Sequence, residues 1–323
     1  NDGAGPAGLS AAIYAARAGL RPIVIAPSHG AEPQGQLEGK GVDVENFPGV
    51  LGASGPSLVS LMRTQASSFN ATLVGDAAVG LDLTSRPYRV RLNSSEEVLY
   101  TRTLIVALGA MSRWLGVPGE QEYRGGGVSS CATCDGFLFR DKRVLVVGGG
   151  DSAAEDALVL ARTSSHVTLI HRRGTLRASH TLAQRVLTHP KISVRFETTV
   201  SRFEGDGKGQ LTHAWLQTRR GGDGGGEEDI DTERHEVAAA FIAIGHTPNT
   251  ALLANDGSVS LTPDGYVDMS GSGRSSRTSI EGVFAAGDVA DPTYRQAVTS
   301  AGSGAQAALD AERWLSEAGI VAA

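Results

Sequence analysis

Two glycine-rich turns, 145 residues apart, constrain the fold of this chain more than any other feature. The first reads GAGPAG at residues 3–8 and leads into a predicted helix at Leu9–Ala18, and the second reads GGGDSA at residues 148–153 and leads into a predicted helix at Ala154–Arg162. Each half also closes with an apolar strand that ends in glycine, at Thr103–Gly109 and at Ala239–Gly245. The repeat predicts an α/β fold with two Rossmann-like, three-layer nucleotide-binding domains.

The composition agrees with two globular domains. The chain has 323 residues, of which 41% are hydrophobic and 20% charged, and this balance excludes a disordered, collagen-like or coiled-coil protein. Forty-two residues are glycine, nearly twice the usual share of roughly 7%. A length above 300 residues exceeds what one hydrophobic core usually serves.

Charge and hydropathy exclude two classes of partner. The net charge is -6 and no basic cluster stands out, so we expect no binding to nucleic acid or to an anionic membrane. No apolar run approaches the roughly 18 residues of a membrane span. Asn1-Asp2-Gly3 has the character of neither a signal nor a transit peptide. We expect a soluble protein.

The 78 residues after Gly245 contain no third glycine turn and are too few for an independent nucleotide-binding domain. They hold a strand that runs into Gly287-Asp288 and then an amphipathic helix predicted from about Arg295 to Leu315. We therefore expect this tail to complete the first domain. The predicted domains are 1–114 with 246–323, and an inserted domain at 115–245.

The second glycine turn has the complete context of a dinucleotide site. Arg143–Val147 is a buried type of strand that leads directly into the turn, whose amides can approach a pyrophosphate at the start of the helix. NAD enzymes place an acid on the ribose roughly 20 residues later, whereas this chain has His171-Arg172-Arg173 there and Arg177 soon after. Guanidinium groups match a 2′-phosphate, which favours NADPH. The alternatives are a simple tight turn and a solvated basic loop.

The first glycine turn lacks part of this context. Only two residues precede Gly3, so the strand that should lead into the turn is missing from the sequence, and we expect the polypeptide to continue upstream of Asn1. The next strand, Pro22–Ala26, ends without a carboxylate for a ribose. We still expect a dinucleotide here. Asp288 is suited to hydrogen-bond a ribitol hydroxyl of that ligand, the alternative being a turn residue that only packs.

Cys131 and Cys134 are the only cysteines, in a C-x-x-C pair followed by Asp135. Zinc would need two further ligands, but there is no other cysteine and the nearest histidines, His166 and His171, point to opposite faces of a predicted strand, so we expect no metal. A two-residue spacer permits a disulfide whose thiols are activated by neighbouring amides. Asp135 is the candidate acid that protonates a leaving thiolate, unless it is only a turn residue. Few cysteines indicate a reducing compartment, the cytoplasm or else a chloroplast or mitochondrion.

Together these stretches resemble the low-molecular-weight, NADPH-dependent thioredoxin reductases over nearly the whole chain. The matching segments are GAGPAGLSAAIYAARAG, GQL, VENFPG, CATCDG, GGGDSAAEDA, HRR, AIGHTPNT, GVFAAGDV and YRQAVTSAGSG. The sequence departs from the family at Gln34, Lys40 and Gly41, where GGQL and threonines are usual. The family also has a form with a fused thioredoxin domain, and no second C-x-x-C follows here.

The resemblance implies two cofactors and a protein partner. It implies that FAD binds in the domain formed by 1–114 and 246–323, at Gly3, Gly5, Pro6, Ala7, Gly8, Gln36, Asn46, Gly109, Asp288, Arg295, Gln296 and Ala297. It implies that NADPH binds in the inserted domain, at Gly148, Gly150, Asp151, Ser152, His171, Arg172, Arg173 and Arg177. Cys134 would face the flavin, Cys131 would attack thioredoxin, and the protein would be a homodimer.

The activity implied is NADPH-dependent reduction of thioredoxin through FAD and the Cys131–Cys134 pair. Two alternatives stay open. One is a flavoprotein disulfide reductase that serves a peroxiredoxin system. The other is a flavin-free NADPH-binding module, if the strand ahead of Gly3 is truly absent.

Overall fold

The computed structural model describes residues 4–27, 35–37, 43–94, 98–220, 229–273 and 275–320. The chain divides into two compact units, with 1–111 and 247–323 in unit 1 and 112–246 in unit 2. The predicted boundaries differ from these by three residues at the first crossing and by one at the second. The first crossing lies earlier because Ser112 Oγ is 2.8 Å from Ser130 Oγ and the Arg113 amide donates to the Gly245 carbonyl.

Unit 2 contains a parallel sheet, an antiparallel sheet and short helices. Its strands are β10 Val128–Ser129, β11 Arg143–Val147, β12 His166–Ile170, β13 Ile192–Arg195, β14 Thr198–Gly205, β15 Leu211–Arg220, β16 Asp229–Glu236 and β17 Ala239–Ile242. Its helices are α3 Ala132–Asp135, which continues as a 3₁₀ turn at Gly136–Phe139, α4 Asp151–Leu160 and α5 His180–Leu187.

The parallel sheet of unit 2 has the strand order β10-β17-β11-β12-β13. Apolar side chains cover both of its faces, as expected of parallel strands. One face packs against α3, α4 and α5, around Val146, Leu169 and Phe241. The other face packs against the antiparallel sheet β14-β15-β16, around Leu145 and Leu216. The result is three layers, which confirms the predicted α/β class.

The described residues of unit 1 form short parallel and antiparallel sheets and four α-helices. Its helices are α1 Pro6–Arg17, α2 Gly55–Ser68, α6 Ala251–Asp256 and α7 Ala297–Glu317, the longest being α7, and 3₁₀ turns lie at Ser270–Ser272 and Gly287–Val289. Its strands are β1 Ile23–Ile25, β2 Asp43–Val44, β3 Ala53–Ser54, β4 Thr72–Val74, β5 Ala78–Asp82, β6 Tyr88–Leu92, β7 Val98–Thr101, β8 Leu104–Val106 and β19 Val283–Ala285, while β9 Ala110–Ser112 and β18 His246–Pro248 cross the unit boundary.

Helices α1 and α7 of unit 1 pack at very close range. A Cβ added to Gly304 would lie 2.0 Å from the Ala7 carbonyl oxygen, and one added to Gly287 would lie 2.7 Å from the Ala7 Cβ. These two glycines bring the start of α1 against both α7 and the turn that contains Asp288. The C-terminal tail therefore completes the layer that surrounds the first glycine turn.

A cleft of about 780 Å³ in unit 1 is lined by all of β1 and all of β8, with apolar residues of α1 and α7. In the part of the chain that the structure describes, β1 pairs in parallel with β4, and β8 pairs in parallel with β19. Residues 1–3 lie outside the described residues, as do Gln34, Lys40 and Gly41.

The helices begin at residues that differ from the predicted ones. The glycine-turn helices start at Pro6 and Asp151, three residues earlier than expected, because the last glycine turn residues already belong to the first helical turn. Helix α7 starts at Ala297 rather than Arg295, whose φ of +49° is incompatible with a helix. No helix within the described ranges has the length and apolar character needed to cross a membrane.

Candidate functional site

Cys131 and Cys134 form a disulfide at the start of helix α3 in unit 2, with their Cα atoms 5.3 Å apart. The helix is held against the nucleotide-binding layer, since Ala132 is buried in the same cluster as α4. Gly136 also packs closely, because a Cβ there would lie 2.8 Å from a methyl of Leu160. Both cysteines are partly exposed. The disulfide is thus held in place by the packing of α3 against α4 and is accessible to another thiol.

Asp135 lies directly behind the disulfide and is 7% exposed. Its carboxylate accepts a hydrogen bond from Ser129 Oγ at 2.5 Å, and the same Ser129 Oγ accepts the Cys131 amide at 3.0 Å. The structure therefore brings together the three predicted residues of the redox site. It adds Ser129, which sequence reasoning missed, because no pattern distinguishes a serine ahead of C-x-x-C from any other strand residue.

The second glycine turn connects β11 to α4 in the manner expected of a pyrophosphate site. A side chain at Gly148 would collide with the Ala243 carbonyl at 2.3 Å, so only glycine fits there. Gly150 caps α4, and nothing lies within 4 Å of its Cβ position. The first amides of α4, including that of Ser152, are therefore open to an anion.

The arginine loop after β12 folds back onto this glycine turn. The amides of Arg177 and Ala178 both donate to the Gly149 carbonyl, at 2.6 and 3.1 Å. The Asp151 side chain accepts the Ser179 amide at 2.7 Å. The residue predicted to contact NADPH, Asp151, thus has a structural task in tying the loop to α4.

The side chains of Arg172, Arg173 and Arg177 are all exposed. None of them forms a salt bridge with a carboxylate of the described residues. Three cations beside an open helix start form a donor set that suits a phosphate group.

His171 differs from its two arginine neighbours because its ring is buried, at 5% exposure. The ring packs under the glycine turn, where a Cβ on Gly149 would meet it at 2.3 Å. Burial lowers the pKa of His171, and the charges of Arg177, Arg173 and Arg172 lower it further. A neutral imidazole therefore supports the turn from behind.

In unit 1 the structure brings Gln36 and Asp288 together. The Gln36 side-chain amide donates to Asp288 Oδ2 at 3.2 Å and to the Ala110 carbonyl at 2.8 Å. Ser300 Oγ, in the first turn of α7, donates to Asp288 Oδ1 at 2.9 Å. Asp288 is thus oriented from two sides, and the carboxylate and amide suit the hydroxyl groups of a sugar chain.

The loop ahead of α7 brings Asn46 close to Gln296, whose side-chain oxygen accepts from the Asn46 amide at 3.2 Å. Asp291 organises this loop, because its carboxylate accepts the amides of Thr293, Tyr294 and Arg295 at 2.8 to 2.9 Å. The sequence prediction missed Asp291.

The first glycine turn fits a second dinucleotide. Gly5 caps α1 with Pro6 in the first position, and nothing lies within 4 Å of the Gly5 Cβ position. Ala7 is buried against Gly287, so the start of α1 lies beside the Asp288 turn. Gly8 lines the cleft described above, Gly109 has a φ of +67°, and Gly3 is outside the described residues. Open backbone amides beside the Asp288 carboxylate fit the pyrophosphate and the hydroxyl groups of a flavin dinucleotide.

Comparison with known proteins gives one family. The pyridine nucleotide-disulphide oxidoreductase family matches residues 3–304. A thioredoxin reductase of Rickettsia bellii is 45% identical over 317 residues, covering 98% of this chain and 97% of its own. A glucosaminate ammonia-lyase of Pseudomonas fluorescens is 45% identical over 320 residues, covering 97% and 94%. The structure of a thioredoxin reductase from Giardia duodenalis superimposes with a TM-score of 0.86, at 37% identity and 97% and 96% coverage.

Proposed function

Because the chain belongs to the pyridine nucleotide-disulphide oxidoreductase family, we propose that it reduces the disulfide of a thioredoxin with electrons from NADPH, carried by FAD. The resemblance to thioredoxin reductases inferred from the sequence is confirmed by relatives that match almost end to end. The family implies a flavin and a nicotinamide cofactor. FAD and NADPH in particular, and thioredoxin as the acceptor, are part of the proposal.

The observation that carries the proposal is the Cys131–Cys134 disulfide with the buried Asp135 behind it. Both cysteines are partly exposed and belong to the unit that holds the arginine loop. A disulfide that only stapled the fold would not need a buried carboxylic acid beside it. The pair is suited to open and close by exchange.

In the proposed reaction, the residues of this chain break and re-form one disulfide and transfer one proton. Two electrons break the Cys131–Cys134 bond, and Asp135 gives a proton to one of the two sulfurs. The Cys131 thiolate then attacks the thioredoxin disulfide and forms a mixed disulfide, which Cys134 resolves. The Cys134 thiol returns its proton to Asp135 as it attacks, the Cys131–Cys134 bond is restored, and thioredoxin leaves as a dithiol after its two thiolates take protons from water.

The arginine loop supports NADPH rather than NADH. Arg172, Arg173 and Arg177 would hold the 2′-phosphate, while Gly148, Gly150 and Ser152 would approach the pyrophosphate at α4. His171 and Asp151 would hold this arrangement from behind.

The unit 1 residues support FAD, which supplies a two-electron carrier when it is bound. Gly5, Pro6, Ala7 and Gly8 would present the amides of α1 to its pyrophosphate, and Asp288 would accept a ribitol hydroxyl. Gln36, Asn46, Gly109, Arg295, Gln296 and Ala297 surround the same ligand in the proposal. A homodimer, which sedimentation of the purified protein would reveal, completes it.

The test is NADPH oxidation in the presence of oxidised thioredoxin. We expect turnover in the unaltered chain and in Ser130→Ala, and a loss of at least about a thousandfold in Cys131→Ser and Cys134→Ser, because each lacks one partner of the exchange. Ammonia release from glucosaminate without NADPH oxidation would contradict the proposal, as would reduction of a peroxiredoxin but not of thioredoxin. A purified chain that binds NADPH but no flavin would also contradict it.

A further inference from the structure

We propose that Ser129 is a positioning residue for the disulfide exchange, which holds the Asp135 carboxylate and the Cys131 backbone in one fixed relation. The inference rests on the proposed function, because it concerns the same redox pair. It assigns a task to a side chain that bonds to Asp135 and to the Cys131 backbone but not to either sulfur.

Ser129 Oγ both accepts and donates a hydrogen bond. The oxygen accepts the Cys131 amide at 3.0 Å. Its single proton has two acceptors within reach, Asp135 Oδ2 at 2.5 Å and the Cys131 carbonyl at 3.5 Å. The shorter contact is the stronger one, so the proton points to the carboxylate.

The Ser129 side chain is itself held firmly. Ser129 lies in strand β10, which pairs in parallel with β17 at the edge of the five-stranded sheet, opposite Phe241. The residue is 7% exposed, as is Asp135. Because the sheet fixes the hydroxyl, the bond to Asp135 ties the redox turn to a rigid element. The Asp135 amide, which donates to the Cys131 carbonyl at 3.1 Å, closes the same turn from the backbone.

The hydrogen bond from Ser129 to Asp135 matters to the exchange because Asp135 loses and regains a proton in it. When the Cys131–Cys134 bond is broken by two electrons, one sulfur takes the proton of Asp135 and the other remains a thiolate. The product of that transfer is a buried carboxylate, which an O–H donor stabilises. Ser129 provides the donor. In the reverse direction the carboxylate takes the proton from a thiol, and the same bond keeps its oxygen in place.

The adjacent serine offers a matched control. Ser130 Oγ is 2.8 Å from Ser112 Oγ and forms no bond to Asp135. It lies nearer to Cys131 in sequence than Ser129 does. A general effect of removing a hydroxyl near the disulfide would therefore be seen in Ser130→Ala as well.

The experiment follows the chain after reduction with dithiothreitol, so that NADPH and flavin are not needed for the first readout. Exchange with a small aromatic disulfide is measured between pH 5 and 9 for Ser129→Ala, Ser130→Ala, Asp135→Asn and the Ser129→Ala/Asp135→Asn double variant. We expect Ser129→Ala to slow the exchange by about tenfold at neutral pH, as loss of a hydrogen bond to a charged group does. Its pH profile moves to higher pH. Ser130→Ala stays within about twofold of the unaltered chain.

The double variant decides whether Ser129 acts through Asp135. We expect it to be as slow as Asp135→Asn alone, since the two residues form one unit. Losses that multiply, or a Ser129→Ala protein with an unaltered pH profile, would overturn the proposal. Should Ser129→Ala not fold, Ser129→Gly, which also removes the hydroxyl donor, takes its place in both readouts. If the variants exchange disulfides as expected but the unaltered chain does not accept electrons from NADPH, the proposed function is wrong while the role of Ser129 still holds.

Discussion

Individual residues of the arginine loop have different tasks although they lie side by side. Arg172 and Arg173 are exposed, whereas the ring of His171 is buried under the glycine turn. This difference in exposure follows from strand β12, which is buried up to its last residue, Ile170. His171 comes directly after it and stays buried, whereas the arginines that follow lie in the exposed loop. In the proposed NADPH site, the charge for the 2′-phosphate would therefore come from the arginines and not from His171.

The exposed arginines predict a cofactor preference. Replacing both Arg172 and Arg173 with alanine removes charge-assisted hydrogen bonds to a 2′-phosphate, each worth about 1.5 to 3 kcal/mol. We expect the KM for NADPH to rise by at least about tenfold while that for NADH stays nearly constant. Steady-state kinetics with both nucleotides measures this. Arg162→Ala, an exposed arginine at the far end of α4, is the control, and equal effects on both nucleotides would refute the assignment.

The buried His171 predicts a pH dependence of stability. Burial lowers its pKa in the folded chain, so the unfolded chain binds a proton first as the pH falls. Stability is therefore constant well above the unfolded pKa of about 6.5 and decreases as the pH falls below it. Urea unfolding between pH 5 and 8 should show this loss. His171→Asn should have a shallower slope, and His235, whose pKa burial also lowers, accounts for part of what remains. An unchanged slope would contradict this interpretation.

At the scale of secondary structure, helix α7 contains one glycine that is required for close packing and one that is not. Gly304 is buried against Ala7 of α1, whereas Gly302, two residues earlier in the same helix, is exposed with nothing within 4 Å of its Cβ position. The same substitution should thus have opposite effects at the two positions.

Gly304→Ala should destabilise the protein, since its methyl would lie 2.0 Å from the Ala7 carbonyl. We expect a loss of at least about 1 to 3 kcal/mol, the usual cost of overpacking. Gly302→Ala should raise stability by up to about 1 kcal/mol, because alanine favours a helix more than glycine. Denaturant unfolding of the two variants gives both values. A Gly304→Ala protein as stable as the parent chain would show that α1 and α7 pack less closely.

The sequence predicts the elements of this fold better than it predicts the contacts between them. The strand Arg143–Val147 and its glycine turn are found as expected, because a buried strand and a positive φ leave a clear pattern of residues. The start of α7 is not, because the turn at Arg295 depends on three hydrogen bonds to Asp291. Ser129 and the burial of the His171 ring also escape prediction, since both depend on side-chain contacts across the fold.

At the scale of the whole molecule, each unit has its own glycine turn and its own donor set. Unit 1 combines α1 with the Asp288 turn, and unit 2 combines α4 with the arginine loop and the disulfide. The chain crosses between the units at 111–112 and 246–247. One glycine turn in each unit agrees with one nucleotide per unit in the proposal.

We propose that electrons pass from NADPH through a flavin to the Cys131–Cys134 pair and then to thioredoxin. An anaerobic titration of the purified chain tests this electron path, with NADPH added first and oxidised thioredoxin second, while the visible absorbance of the flavin is followed. We expect the absorbance to fall with NADPH, to fall far less with NADH at the same concentration, and to return with thioredoxin. Absence of bound flavin even after addition of FAD, or an absorbance that thioredoxin does not restore, would contradict it.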